Sequence, residues 1–199
     1  GFRYIHGPRW HSYLLQLKSI EKLIRPGFKV LIIGLGDGVV ADYLKKNNIE
    51  VNTLDIDSKL NPDFVGNVLD MDFSDKSFDI ILCAEVLEHL PFKDFEKALA
   101  EIRRVSKCFV ILSLPDKRST LIDFKIKLPF VKEKEVFIKI PNFRKHSFDG
   151  QHYWEIGKAG CSLGNIKRTI KRSGFKIIES FVKPESPTIH FFILEKITL

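Results

Sequence analysis

The most constraining feature of this chain is a short apolar run that ends in three closely spaced glycines. Val30–Ile33 is apolar and rich in β-branched residues, and Gly34, Gly36 and Gly38 follow at alternate positions before a helical pattern begins at Val39. The run predicts a buried strand, and the glycines predict a tight turn that leads into a helix. Because the first N–H groups of a helix have no intrahelical partner, the segment predicts a binding site for a small molecule held against the backbone.

The spacing of the glycines separates two kinds of cofactor site. A dinucleotide-binding turn reads G-x-G-x-x-G, and its third glycine would fall at position 39, which is Val39. The observed spacing is G-x-G-x-G. Asp55 closes the next apolar run, 21 residues after Gly34, where a carboxylate can accept hydrogen bonds from both hydroxyls of a ribose.

Four motifs in this order resemble those of the class I S-adenosylmethionine (SAM)-dependent methyltransferases. They are the glycine turn, the acidic strand end at Asp55, the segment Asn67–Met71 and the segment Ser77–Leu90. The resemblance covers Phe28–Leu114, and His146–Leu199 looks like uncharacterised prokaryotic members of the same superfamily. It implies an α/β fold, a Rossmann-like doubly wound sheet of seven strands with helices on both faces and an antiparallel terminal strand. It also implies methyl transfer from SAM to an oxygen or nitrogen atom of an acceptor.

The family's motifs, carried over onto this sequence, imply a set of SAM-binding residues. Gly34 and Gly36 are expected at the methionine end of SAM, and Asp55 is expected at the ribose. Asp70 and the backbone of Met71 are expected at the adenine. Ala84 and Glu85, at the end of the fourth strand, are expected beside the methyl group. The implied set is Gly34, Gly36, Gly38, Asp55, Ile56, Asp70, Met71, Ala84 and Glu85.

One position departs from the family's pattern. The family usually has an acidic residue two positions before the first glycine of the turn, and this chain has Ile32 there. The resemblance implies that the usual carboxylate orients the turn and the amino group of SAM. Three outcomes stay open, namely weaker SAM binding, a compensating acid such as Asp37, and a degenerate domain. A non-catalytic SAM-binding module is therefore an alternative to an enzyme.

The acceptor side of the site has its own motif, E-V-L-E-H at Glu85–His89. If this segment is helical, its two carboxylates and its imidazole can share one face, because residues three and four apart are neighbours on a helix. The motif resembles the E-x-x-E-H segment of ubiquinone-pathway O-methyltransferases and of small-RNA 2′-O-methyltransferases. That resemblance implies a divalent metal held with help from a later histidine, and the candidate ligands are Glu85, Glu88, His89 and His152.

Two interpretations of this motif stay open. A metal would lower the pKa of an acceptor hydroxyl, which makes metal-assisted RNA 2′-O-methylation an alternative function. Without a metal, the motif is an ordinary ending of the fourth strand, and the candidate general bases are His89, His152 and Glu155, since a histidine titrates near neutral pH.

Charge is distributed unevenly along a chain whose net charge is +7. Residues 50–96 contain twelve acidic residues and three lysines, whereas residues 117–150 contain nine Lys or Arg and four acidic residues. The basic segment can attract an anionic acceptor, nucleic acid included, or it is simply a solvated surface. It also interrupts the alternation of strands and helices, which predicts an inserted hairpin or substrate lid. Its phenylalanines are Phe124, Phe130, Phe137, Phe143 and Phe148.

Length and composition limit the organisation of the chain. Because the chain has 199 residues and 44% hydrophobic content, we expect one domain over residues 1–199. Residues 1–27 are expected to form a helical segment at the start of this domain. No apolar run approaches the roughly 18 residues of a membrane span, so no membrane partner is expected. The odd cysteine count, without C-x-x-C spacing, favours reduced thiols and a cytoplasmic location. A small or medium acceptor is expected; the oligomeric state is left open.

Overall fold

The structure of the protein is a computed structural model that describes residues 7–126, 134–142, 144, 147–148 and 150–197. In this part of the chain, a seven-stranded sheet carries helices on both faces and a two-stranded ribbon stands apart from it. The helices are α1 (Gly7–Leu23), α2 (Val39–Lys46), α3 (Phe95–Val105) and α4 (Leu163–Arg172). The strands are β1 (Lys29–Ile33), β2 (Glu50–Asp55), β3 (Phe64–Val65), β4 (Phe78–Ala84), β5 (Ser106–Pro115), β6 (Ser119–Ile126), β7 (Lys134–Ile140), β8 (Phe175–Lys183) and β9 (Ser186–Lys196).

The order of strands in the sheet determines where a ligand can bind. The order is β3-β2-β1-β4-β5-β9-β8. The first five strands are parallel, and β9 runs antiparallel to both of its neighbours. The chain moves outward from β1 in one direction and then continues on its other side with β4, so a crevice forms at the carboxyl ends of these strands. The predicted fold class is confirmed, including the antiparallel strand.

Strand β1 lies at the centre of the molecule and is apolar on both faces. Val30 and Ile32 belong to the core under α1 and α2, whereas Leu31 and Ile33 belong to the core under α3 and α4. All four side chains are at most 3% exposed. A strand covered on both faces needs a continuous apolar run, which explains the sequence that precedes the glycine turn.

The basic segment forms the predicted hairpin. Strands β6 and β7 pair in antiparallel fashion, starting at Ser119 opposite Ile140. The base of this ribbon is attached to the domain by Lys139, whose ammonium donates to the backbone carbonyls of Asp116 and Pro187 at 3.0 and 2.6 Å. Phe130 and Phe143 lie outside the described residues. A lid function for this segment stays a prediction.

None of the helices in the described part of the chain combines the length and apolar character that a bilayer span requires.

Candidate functional site

A cleft of about 900 Å³ opens at the carboxyl ends of β1, β2 and β4. Six of the nine predicted SAM-binding residues line it, and so do Glu88, His89 and His152. Gly38 lies behind the turn, at the start of α2. The six that line the cleft are Gly34, Gly36, Asp55, Ile56, Ala84 and Glu85.

The glycine turn has the backbone that its sequence predicts. Gly34, Gly36 and Gly38 have φ angles of +83°, +59° and +76°. Residues with a side chain rarely adopt these values. A Cβ on Gly34 would clash with the side chain of Val86, whereas a Cβ on Gly36 would meet no atom within 4 Å. The backbone at Gly36 is therefore open to the cleft, as a turn that holds a ligand against main chain requires.

Asp55 is oriented by two backbone amides at the end of β2. Its Oδ2 accepts a hydrogen bond from the Leu35 N–H at 2.7 Å, and its Oδ1 accepts one from the Asp57 N–H at 2.9 Å. Each carboxylate oxygen can accept a second hydrogen bond. Asp55 thus ties the glycine turn to β2 and can still accept from the hydroxyls of a ribose.

The adenine side of the cleft differs from the prediction. Asp70 is exposed and Met71 is 3% exposed within the core, and neither lines the cleft. The Met71 N–H is already used, since it donates to the Glu101 carboxylate at 2.8 Å. The loop directly after β3 lines the cleft instead, through Asn67 and Val68.

The position at which β3 ends could have predicted from the sequence that Asn67 and Val68 line the cleft. Side chains that follow a parallel strand's carboxyl end meet the cofactor, and β3 ends at Val65, two residues before Asn67. Ile56 and Leu60, which follow β2, also line the cleft, with 72% and 40% of their surface exposed. Exposed apolar side chains together with a polar asparagine are a lining that suits a purine ring such as the adenine of SAM.

Helix α1 contributes a wall that sequence reasoning missed. Arg9, Tyr13 and Gln16 all line the cleft. The Tyr13 hydroxyl donates to Asp37 Oδ2 at 2.6 Å; burial, followed by this hydrogen bond, raises the pKa of Tyr13. Ile32, at the position of the family's usual acid, is 3% exposed. Asp37 also lines the cleft, and its carboxylate is oriented by the Tyr13 hydroxyl of α1. The signal available in the sequence was the polar Gln16 at helical spacing between Tyr13 and Ile20, on the face of α1 that the structure buries.

Glu85 has an unusual backbone at the end of β4. Its φ angle is +56°, a left-handed conformation that is uncommon for any residue with a side chain. Its Oε1 accepts a hydrogen bond from the Ser12 hydroxyl at 3.3 Å, and Ser12 in turn accepts from Gln16 at 3.2 Å. Glu85 is therefore joined to α1.

Three candidate metal ligands converge beside the cleft. Glu88, His89 and His152 each offer a ligand atom, and these atoms lie within 4.8 Å of one another. Glu88 is 1% exposed, and neither of its carboxylate oxygens has a hydrogen-bond partner among the described residues. Burial, with the nearby charges of Glu85 and Glu155, raises the pKa of Glu88 well above its usual value. A buried carboxylate without a partner is costly, and a cation would remove that cost.

Both histidines of this cluster are oriented by a second group. His89 Nδ1 lies 2.9 Å from the Gln151 carbonyl oxygen, and His152 Nδ1 lies 3.1 Å from Glu155 Oε1. These acceptors assign the proton to Nδ1, which places the lone pair of each ring on Nε2. Imidazoles that bind metals are usually held in this way, by a carboxylate or a backbone carbonyl. Glu155 is 3% exposed, and its carboxylate orients the ring of His152 by accepting a hydrogen bond from Nδ1.

The structure brings together three of the four predicted metal ligands. Leu87–His89 forms a single 3₁₀ turn, and the left-handed backbone of Glu85 precedes it, so the segment does not form the continuous helix that would align both glutamates. Glu85 lies outside the cluster. Nearby, Phe148 and Tyr153 line the mouth of the cleft with ring centroids 4.7 Å apart.

Comparison with known proteins finds a similarity to methyltransferase domains in part of the chain. Residues 31–108 match the family model described as a methyltransferase domain. A SAM-dependent methyltransferase from Methanosarcina mazei matches the structure with a TM-score of 0.62 and 19% identity, over 90% of this chain and 97% of that one. Over residues 31–108 the chain is similar to a methyltransferase domain, and the solved structure shares its fold.

Other solved structures share the fold. Magnesium protoporphyrin IX methyltransferase from Synechocystis, with bound S-adenosylhomocysteine, has a TM-score of 0.63 and 14% identity to this chain, over 95% of this chain and 84% of that one. The [4+2]-cyclase SpnF has a TM-score of 0.65 and 13% identity, over 94% and 82%. At these identities the likeness shows the fold alone.

One relative in sequence is known, and its name states no activity. An uncharacterised protein of Methanocaldococcus jannaschii is 34% identical over 128 residues, which cover 56% of this chain and 53% of that protein. The match therefore spans about half the length of this curated relative.

Proposed function

We propose that this protein is a SAM-dependent methyltransferase that transfers the methyl group to a hydroxyl oxygen, with a divalent cation beside that hydroxyl. The observation that carries the proposal is the cluster of Glu88, His89 and His152 beside a cleft whose glycine turn and Asp55 fit SAM. Oxygen is preferred to nitrogen because a hydroxyl must lose its proton to attack, and the cluster is suited to that task.

The chain's own residues hold the donor and shape the cleft. When bound, SAM supplies a methyl group already activated on a sulfonium. The turn at Gly34–Gly36 would receive its methionine end, and Asp55 would accept from its ribose hydroxyls. Tyr13 and Gln16 of α1 line the same cleft and would help to exclude water from the bound cofactor. Transfer then depends on holding the acceptor oxygen close to the methyl group and in line with its bond to sulfur.

The acceptor hydroxyl would be prepared at the cluster. A divalent cation held by Glu88, His89 and His152 would supply positive charge and would lower the pKa of the hydroxyl. One carboxylate and two imidazoles favour Mn²⁺, Fe²⁺ or Zn²⁺ over Mg²⁺, which prefers oxygen ligands. If no cation were bound, His152, with Glu155 Oε1 3.1 Å from its Nδ1, would be the group best arranged to take the hydroxyl proton on Nε2. Phe148 and Tyr153 offer aromatic surfaces to an acceptor entering the cleft.

The first test is calorimetric titration with S-adenosylhomocysteine. We expect Asp55→Ala to weaken binding by about a hundredfold, because charge-assisted hydrogen bonds to both ribose hydroxyls are lost. Asp70→Ala is the matched control and should bind like the wild type, since Asp70 lies off the cleft. Equal losses in both variants, or no binding by the wild type, would contradict the proposed cofactor site.

The second test concerns the cation. Mn²⁺ should bind the wild-type protein, and Glu88→Gln should weaken that binding by more than about a hundredfold because it removes the charged ligand. Glu85→Gln is the matched control, since it makes the same change outside the cluster. Calorimetry or electron paramagnetic resonance measures the affinity without turnover. Unchanged Mn²⁺ affinity in Glu88→Gln would exclude the site and leave His152 as the candidate base.

A further inference from the structure

The charged side chains that line the cleft limit what kind of ligand end it can hold. Among the described residues of the lining, Arg9 is the only lysine or arginine. Several carboxylates line the cleft as well: Asp37, Asp55, Asp57, Glu85 and Glu88. A ligand that carries one negative and one positive group can therefore be matched in the cleft, with Arg9 facing its anion.

The carboxylates differ in the part of the cleft that they can serve. The proposed function assigns Asp55 to the ribose and Glu88 to the cation. Asp57 accepts a hydrogen bond from a backbone N–H two residues further along, at 3.0 Å. Glu85 lies at the end of β4, where the methyl group is expected. Asp37 lies between two glycines of the turn, which makes it the acid at the methionine end.

Tyr13 of α1 brings Arg9 and Asp37 together. The Tyr13 hydroxyl donates to Asp37 Oδ2 at 2.6 Å, and the Arg9 side chain hydrogen-bonds to the same hydroxyl. Arg9 and Tyr13 are four residues apart on one helix and so are neighbours on its surface. Because Tyr13 is only 8% exposed, the packing of α1 fixes its hydroxyl. Two opposite charges thus lie on either side of one fixed group.

Both charged groups have the chemistry to bind a ligand in this position. Asp37 accepts one hydrogen bond on each oxygen, from Tyr13 and, at 3.4 Å, from the Val39 N–H, and each carboxylate oxygen can accept a second one. The guanidinium of Arg9 carries five N–H donors in a fork that suits a carboxylate.

The methionine end of SAM is a ligand end of this kind. It carries an ammonium and a carboxylate on the same carbon, and either charge is costly to remove from water without an opposite partner. The family's pattern places an acid for this end at position 32, but Ile32 is apolar and 3% exposed. Asp37 and Arg9 offer the two charges that such a zwitterion requires.

We propose that Asp37 binds the ammonium and Arg9 the carboxylate at the methionine end of SAM, while Tyr13 positions both side chains. The inference rests on the proposed function, since it needs SAM in the cleft. It goes further by assigning recognition of the amino-acid end to α1, which lies outside the residues 31–108 that match a methyltransferase domain. The change of the usual acid to Ile32 then leaves cofactor binding intact.

The test is calorimetric titration of the full chain with four nucleosides. S-adenosylhomocysteine carries both charges, its decarboxylated analogue only the ammonium, its deaminated analogue only the carboxylate, and methylthioadenosine neither. Asp37→Asn should weaken binding of the two nucleosides that carry the ammonium by about tenfold or more, because it removes a charge-assisted hydrogen bond. It should leave the affinity for the other two unchanged. Arg9→Gln should weaken only the two that carry the carboxylate.

Two controls separate recognition from a merely structural role. Unchanged affinity for methylthioadenosine shows that the cleft of each variant is folded. Asp42→Asn makes the same change at an exposed residue of α2 outside the lining of the cleft, and it should bind all four nucleosides like the wild type.

The outcomes distinguish this inference from the proposed function. Equal losses for all four nucleosides in Asp37→Asn, or unchanged affinity for S-adenosylhomocysteine, overturn the inference alone. A selective loss of ammonium binding in Glu85→Gln instead of Asp37→Asn also overturns it and assigns the ammonium to Glu85. Methylthioadenosine keeps the ribose, so Asp55→Ala should weaken its binding in any case. If the wild type binds none of the nucleosides, the proposed function and this inference both fail.

Discussion

Individual residues in the cleft have left-handed backbones for two different reasons. At Gly36 the side chain is absent and the backbone faces open space, so the turn can receive a ligand. At Glu85 a side chain is present despite a φ of +56°, which costs on the order of 1 kcal/mol. The strained residue lies at the end of β4, where the resemblance to methyltransferases places the transferred methyl group. Its hydrogen bond from Ser12 helps to hold it there.

Two glycine substitutions test the turn residue by residue. Gly36→Ala should lower the free energy of unfolding by about 1 kcal/mol, because a side chain is placed at positive φ. Gly34→Ala should lower it by a further 1–3 kcal/mol, roughly, since the new Cβ also clashes with Val86. Urea unfolding measures both values. A smaller effect at Gly34 than at Gly36 would contradict the packing of Val86 against the turn.

The ribbon is joined to the sheet by a buried network centred on Asp116 at the end of β5. Asp116 contacts Arg118 at 2.7 Å, Lys139 at 3.2 Å and His190 at 3.3 Å. Burial alone would raise the pKa of Asp116, but hydrogen bonds from His190 and Arg118 and the charge of Lys139 hold that pKa well below its usual range. The network joins the connection between β5 and β6, which carries Asp116 and Arg118, to Lys139 on β7 and His190 on β9, so it attaches the base of the ribbon to the domain.

His190 makes this network sensitive to pH. Burial lowers the pKa of His190, and the neighbouring Asp116 offsets part of that effect. The unfolded chain therefore takes up this proton at a higher pH than the folded protein. Stability should fall as the pH falls below the unfolded pKa of about 6.5. The free energy of unfolding should drop less between neutral and mildly acidic pH in His190→Gln, whereas exposed His11→Gln should behave like the wild type. Identical pH dependence in all three proteins would contradict this account.

At the scale of the whole molecule, the fold follows from local patterns. The apolar run of β1 and the alternation of strands and helices predicted the doubly wound sheet, because a strand buried on both faces and parallel connections leave few arrangements. The crevice beside β1 and β4 follows from that order of strands. Distant segments meet there: α1 from the start of the chain, the loop after β3, and the 150–153 segment that carries His152.

The sequence by itself determined the glycine turn and its partner Asp55, because both lie on neighbouring strand ends whose geometry follows from chain connectivity. Only the tertiary structure showed that Asn67 and Val68, rather than Asp70 and Met71, line the cleft, since that depends on where a two-residue strand stops. Packing likewise decided that Glu88 meets His152 while Glu85 meets Ser12. These contacts join side chains more than sixty positions apart, and no local spacing encodes such a distance.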